Sequence, residues 1–236
     1  MAAFWVLLWV IIMFDRLIEL IGKNNLEKIT NKRVAIVGLG GVGGFALEAL
    51  VRSGIKNITI CDGDVVDITN LNRQIIATTK NIGEKKVDVA TKRCLEINPE
   101  VNIISIDKYI DKNNIHLLSN ADYIIDACDD LAAKIVLIKL ALDNDIKIIC
   151  ALGTGKRINP EGITLTRLDK TCNDALARNL RHRLRKENLS LKIPVVYHAG
   201  LPLNNKKTVS SCIFPPAVAG LYLAYFVIND ILEKNS

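Results

Sequence analysis

From Arg33 onward, short apolar runs alternate with stretches whose apolar positions recur at helical spacing, a pattern that predicts a doubly wound, mostly parallel β-sheet flanked by helices. VAIVGLG (34–40) reads as a first strand entering a glycine turn, with a helix over 42–52 behind it. NITICD (57–62) is the second strand, and a polar loop over 63–82 precedes a helix over 85–97 that Asn98-Pro99 stops. VNIISID, a short helix near Ile115, DYIIDA, a helix over 131–143 and IKIIC complete five strand–helix repeats. After Ala151 the rhythm changes to GITLTRL, a basic helical segment over 175–186, IPVVYH, a Gly/Asn/Lys-rich loop and an apolar helix after Pro216. The expected organisation is a Rossmann-like α/β domain over 13–236, with a nucleotide-binding part (33–150) and a smaller substrate-facing part (151–236).

Residues 2–14 are continuously apolar (AAFWVLLWVIIMF). As a helix they would reach about 20 Å, short of the roughly 30 Å hydrocarbon layer of a membrane. A basic n-region and a small-residue cleavage site are both missing. Three readings stand side by side: an extension over 1–12 ahead of a start at Met13, an interfacial anchor giving membrane contact through 2–14, and an ordered packing helix.

Composition narrows the class. Half of the residues are hydrophobic and 24% are charged, as in a folded globular chain. The six cysteines contain no CxxC pair, which excludes a disulfide framework and a structural zinc site and favours a reducing, cytoplasmic setting. A net charge of +6 biases the chain toward polyanionic partners.

Gly38, Gly40 and Gly43 form G-x-G-x-x-G at a strand-to-helix turn, with Gly41 giving further room for close backbone approach. Such a turn offers phosphate the free N–H groups and positive dipole end of the following helix. Asp62 closes the second strand, where a carboxylate accepts ribose hydroxyls. To this point an NAD site is equally served. From Asp62 the chain runs on as DGDVVDITNLNRQ, a long polar loop in which Asn70, Asn72 and Arg73 supply amide and guanidinium donors suited to a triphosphate. Lys86 stands at a helix start, where the dipole disfavours a cation and a bound phosphate would account for it. DACDD places Asp126, Asp129 and Asp130 at the carboxyl edge of the sheet, where a carboxylate can hold a phosphate-bridging Mg2+ and where Asp130 can instead cap the next helix. The basic run Arg178, Arg181, Arg183, Arg185 and Lys186 is the candidate contact for nucleic-acid phosphates.

The set GLGGVG, CDGDVVDITNLNRQ, GEKKV and DACDD resembles the ThiF/MoeB superfamily of adenylating enzymes, which is shared with ubiquitin-activating enzymes. The resemblance implies that Asp62 holds ribose, that Asn70 and Arg73 hold phosphates, that Lys86 sits on the transferring phosphate and that Asp129 binds Mg2+. Asp64 and Asn72 join the ATP-binding set, and Arg16 looks like the N-terminal arginine that reaches the partner subunit's ATP in a homodimer. From about Met13 on, INPEGITLTRLDKTCNDALARNLRHRLRK and FPPAVAGL are most similar to the tRNA threonylcarbamoyladenosine dehydratase family, which implies a modified tRNA as substrate and leaves room for a sulfur-transfer protein as partner. The alternative is adenylation of the C-terminus of a small ubiquitin-like or sulfur-carrier protein, against which the missing CxxC zinc ligands argue. Ala175, where the dehydratases usually have proline, and His198-Ala199-Gly200, which replaces a usual Ser-x-Glu, depart from that family's pattern in the substrate-facing part. Cys212, in SSCIFPP, has the apolar setting of a packing cysteine more than that of a thioester nucleophile.

Overall fold

A computed structural model describes residues 2–204 and 210–233, with side chains from residue 12 onward. Seven strands form one sheet in the order β3-β2-β1-β4-β5-β7-β6. They are β1 (Arg33–Val37), β2 (Asn57–Cys61), β3 (Asn102–Ile106), β4 (Tyr123–Asp126), β5 (Lys147–Ala151), β6 (Ile163–Arg167) and β7 (Pro194–His198). Every pairing is parallel except β6 on β7, so the Rossmann-like, mostly parallel expectation holds.

The period-2 alternation of the strands is what gives the sheet two cores. In β1, Val34 and Ile36 point into one cluster, with residues of α3 (Gly43–Arg52), α4 (Lys86–Ile97) and α7 (Phe214–Glu233). Ala35 and Val37 point into the other, with α5 (Leu131–Asp143) and α6 (Ala175–Lys186). The C-terminal helix begins at Phe214, three residues earlier than the sequence predicts, because Pro215 and Pro216 are accommodated in a first turn that needs no amide donors. Gly220 lets α7 lie against α3: a Cβ there would stand 2.3 Å from the Val42 carbonyl oxygen. The chain after Ala151 is therefore built onto the same sheet, β7 pairing directly with β5.

The N-terminal apolar run belongs to α1 (Ala2–Ile21), one helix that continues through Asp15, Arg16 and Glu19. A second short helix, α2 (Lys23–Thr30), which the sequence pattern did not announce, buries Ile29 beneath it. Phe14 is buried near Gly54, at the end of α3 remote from the glycine turn. The side chains through which residues 2–11 would touch a membrane lie outside the described residues.

Candidate nucleotide and acceptor site

The carboxyl ends of β3, β2, β1 and β4 lie side by side, so the loops beyond them meet along one edge at the point where strand order reverses. The glycines of the first loop have separate tasks. Gly38 takes φ +91° and packs on the Ala127–Cys128 peptide, with its Cβ position only 2.9 Å from those backbone atoms. A Cβ on Gly43 would fall 1.8 Å from the Gly38 carbonyl oxygen, so that residue secures strand–helix packing. Gly41 is close to Pro216 of α7 and to Arg73. Gly40 faces open space, its nearest neighbour being Gln74 Nε2 at 4.0 Å, and this is where a ligand phosphate can approach the backbone.

Asp62, nearly buried, accepts the Leu39 amide at 2.6 Å through Oδ2 and the Asp64 amide at 2.8 Å through Oδ1. One carboxylate thus fixes the glycine turn and the following loop, and each oxygen keeps lone pairs for ribose hydroxyls. Lys86 is buried at the start of α4, and its Nζ donates to Asp64 Oδ2 at 2.7 Å. The ion pair is the reason that the sequence alone does not supply for a cation at a helix start. Partial burial would raise the Asp64 carboxyl, but the Lys86 ammonium and the Tyr109 hydroxyl outweigh it and hold Asp64 below the usual carboxylate range.

The polar loop is braced from within. Asn70 forms a reciprocal cap with Asp67, its Oδ1 accepting the Asp67 amide at 3.1 Å. Asn72 bridges outward: Nδ2 donates to the Ser211 carbonyl at 3.0 Å, while Oδ1 accepts from Arg73 Nη1 at 3.0 Å. Arg73 Nη1 also donates to the Thr69 carbonyl at 2.8 Å, and the stem of this half-buried side chain packs on Gly41 through Cγ. Asn72 is accordingly a brace between the phosphate loop and the segment ahead of α7.

At the end of β4 the three aspartates part company. Asp126 is fully buried and spent on Lys134, whose Nζ lies 3.0 Å from both carboxylate oxygens and 2.7 Å from the Ala151 carbonyl; this corrects the expectation that it is offered at the edge as a metal or phosphate ligand. Asp130 caps α5 through the Ala133 amide at 2.7 Å. Asp129 is exposed at the edge. Among the described residues no group of three or more His, Cys, Asp or Glu forms a metal cage, so a divalent ion here would rest on Asp129 and on ligand phosphates.

Sequence reasoning missed Gln74, Tyr109, Lys134 and Arg157. Gln74 is buried beneath Gly40 with its Oε1 unpaired, an amide waiting for a polar partner. Its atom that faces Gly40 is Nε2, 4.0 Å away, a donor from which a phosphate oxygen at the open backbone could accept. The only sequence signal was its place in NRQ. Arg157 donates to the carbonyls of Gly200, Gly155 and Asn173 at 3.0, 3.0 and 3.2 Å and so gathers three loops that follow β5. Cys212 joins them, its thiol donating to the Arg157 carbonyl at 3.5 Å, and all six cysteines are free thiols.

The departures in this half are structural. Ala175 opens α6 behind Asp174, whose Oδ1 accepts the Ala177 amide at 2.6 Å, so the helix starts without a proline. His198 is buried, with Nε2 2.8 Å from the Asn159 carbonyl oxygen and Nδ1 accepting the Gly200 amide at 3.0 Å. Gly162 and Gly200 leave the room that its ring fills. On α6, Ala177, Leu180 and Leu184 are buried, and Arg178, Arg183, Arg185 and Lys186 are exposed. Arg181 departs from the expected phosphate-contact set, since its Nη1 bonds Thr171 Oγ1 and the Thr171 carbonyl at 3.2 Å. Arg16 is exposed on α1, two residues from Phe14 and hence toward the end of α3 opposite the glycine turn; a single chain does not bring it to the phosphate site.

Comparison with known proteins gives this geometry its relatives. The ThiF family model matches residues 14–199. The tRNA threonylcarbamoyladenosine dehydratase of Bacillus subtilis (strain 168) is 35% identical over 233 residues, covering 90% of this chain and 92% of the relative. That of Escherichia coli (strain K12) is 38% identical over 171 residues, covering 72% and 64%. The crystal structure of the E. coli tRNA N6-threonylcarbamoyladenosine dehydratase in complex with ATP superposes with a TM-score of 0.90 at 30% identity, covering 95% of each chain. On this sequence and structural agreement, the chain belongs to the ThiF family and groups within it with the tRNA threonylcarbamoyladenosine dehydratases.

Proposed function

We propose that the protein catalyses the ATP-dependent dehydration of threonylcarbamoyladenosine in tRNA through an acyl-adenylate. The observation that carries the reading is the open backbone at Gly40, with the buried Gln74 amide 4.0 Å from it and Asp62 holding the adjacent Leu39 amide, in a chain that matches the B. subtilis dehydratase over nearly its whole length. A free carboxylate is a poor electrophile because it is anionic and its oxygen leaves badly. The threonine carboxylate attacks the α-phosphorus of ATP and pyrophosphate departs, giving a mixed anhydride. An atom of the same threonylcarbamoyl group then attacks the activated carbonyl carbon, AMP leaves with the former carboxylate oxygen, and the ring closes with net loss of one water from the nucleoside. No enzyme nucleophile is required, in keeping with Cys212 bonded to a backbone carbonyl.

The chain's part is positioning and charge. Asp62 receives the ribose, the Asn70 and Gln74 amides and the Arg73 guanidinium meet phosphate oxygens, and Lys86 neutralises charge on the departing side. Asp129 would hold Mg2+, which would supply positive charge against the phosphates. A homodimer completes the set by bringing the partner subunit's Arg16 to this edge. The apolar surface for it is the exposed face of α7, with Phe214, Leu221, Tyr222 and Tyr225 next to Pro216 at the phosphate loop. A cytoplasmic location suits a tRNA substrate and six free thiols.

Enzyme incubated with threonylcarbamoylated tRNA, Mg2+ and ATP is expected to yield a nucleoside lighter by one water, read by mass spectrometry against a sample lacking ATP. Unchanged nucleoside together with pyrophosphate exchange that depends on a protein tail would transfer the activity to the ubiquitin-like alternative. The exposed cations of α6 are proposed to meet tRNA phosphates. Replacing Arg178, Arg185 and Lys186 by alanine is expected to weaken tRNA binding and to flatten its log–log salt dependence by about one unit per lost contact, with ATP affinity unchanged. A salt slope equal to that of the wild type would take tRNA off this helix.

A further inference from the structure

We propose that Tyr109 is a positioning residue whose hydroxyl fixes the Asp64 carboxylate and through it the Lys86 ammonium. The inference rests on the phosphate site proposed for this sheet edge, and Tyr109 belongs to no part of it that the sequence motifs mark. It stands on the loop after β3, 45 residues from Asp64, and its hydroxyl donates to Asp64 Oδ1. Asp64 Oδ2 takes the Lys86 ammonium, so the two donors occupy the two oxygens of one carboxylate.

The residue is 68% exposed, too wet to be explained by core packing. It lies across the backbone of Gly63, where two ring carbons are 3.0 Å from the place of a Cβ, so the missing side chain at Gly63 is what lets the tyrosine reach its partner. The loop is held in turn by Asn114, whose Nδ2 donates to the Tyr109 carbonyl at 2.8 Å, and by Asp111, which accepts the Asn113 amide at 2.8 Å. The hydrogen bond to Asp64 and the charge of that carboxylate raise the tyrosine above its ordinary range.

The need for such a residue comes from the exposure of Asp64. Its side chain is 48% exposed while that of Lys86 is 6% exposed, so the anchor of the buried cation is itself half in water. A carboxylate turns easily about its terminal torsion, whose preferences are broad. With one oxygen held by Tyr109 that rotation stops, and the ammonium keeps one direction toward the phosphate site.

Tyr109→Phe retains the ring and removes only the hydroxyl. It is expected to lower kcat with modified tRNA about 5- to 10-fold and to leave KM for ATP within about twofold, since a contact made chiefly in the transition state is lost. In an Asp64→Asn background the same change should alter kcat by less than about twofold, because coupled residues are not additive. Acylation of Lys86 by an amine-selective ester, followed by peptide mass spectrometry without any substrate, should be faster in Tyr109→Phe than in the wild type. Wild-type kcat in Tyr109→Phe, a full multiplicative effect in the Asp64→Asn background, or unchanged acylation would each overturn the proposal. An inactive wild type would instead reject the tRNA substrate, and the acylation rate would still decide the role of Tyr109.

Discussion

Lys86→Ala is expected to reduce turnover of modified tRNA by about two to three orders of magnitude, the scale on which one preorganised electrostatic donor acts. The preorganisation is visible in the ligand-free chain. The ammonium is buried, has Asp64 2.7 Å away, and emerges from the first residue of α4, whose amide is tied to the Asp64 carbonyl at 3.0 Å. Little reorganisation is then needed when negative charge builds on the departing pyrophosphate, and for that reason kcat should fall more than KM for ATP rises. Stability should change little, because the carboxylate left behind is half exposed and water can take over its hydration. Arginine should not restore the rate, since a planar fork does not place its charge where the compact ammonium did. Steady-state kinetics alongside a thermal melt separate the two quantities. Near-normal kcat in a folded Lys86→Ala protein would place the phosphate site elsewhere.

The second large effect concerns stability. Lys134→Met should destabilise the fold by about 3–5 kcal/mol, as is usual when one member of a buried ion pair is removed. That is a large share of a typical total of about 5–15 kcal/mol. Lys134 and Asp126 are both fully buried. Burial by itself would lower the lysine, but the Asp126 carboxylate reverses the effect and leaves it above its ordinary range, so the pair stands charged. Without Lys134, the Asp126 carboxylate is left as an uncompensated charge in an apolar interior. Urea midpoints should show that loss, and adding Asp126→Asn should recover much of it by removing the stranded charge. A loss that Asp126→Asn does not relieve would mean that packing, and not charge, is what Lys134 contributes.

These two lysines mark the boundary of what could be read in advance. Lys86 carried a local anomaly, a cation at a helix start, and the anomaly pointed to chemistry even though Asp64 as its partner was not foreseen. Lys134 carried none: in LAAKIVLIKL it looks like any helical lysine, and only the crossing of α5 over the ends of β4 and β5 puts it between Asp126 and Ala151. Arg181 and Asn72 show the same difficulty in reverse. Their residue types suit phosphate binding, yet one is bonded to Thr171 and the other to Ser211, 139 residues away. The departures at Ala175 and His198 gave no sign of their benign packing, because what receives His198 is the absence of side chains at Gly162 and Gly200.

By itself, then, the sequence determined the strands, the helices from α3 onward and the glycine turn, since apolar periodicity, proline stops and glycine spacing act over a few residues and need no knowledge of the rest of the chain. It also placed Asp62, Arg73, Lys86 and Asp129 after the strands whose carboxyl ends meet at the candidate site. Tertiary structure alone decided which polar groups are spent on the protein and which remain for a ligand, because hydrogen bonds and ion pairs between residues tens of positions apart depend on how elements cross. It alone set β7 between β5 and β6, buried Asp126, aimed Gln74 beneath Gly40 and left Arg16 on the far side of its own chain.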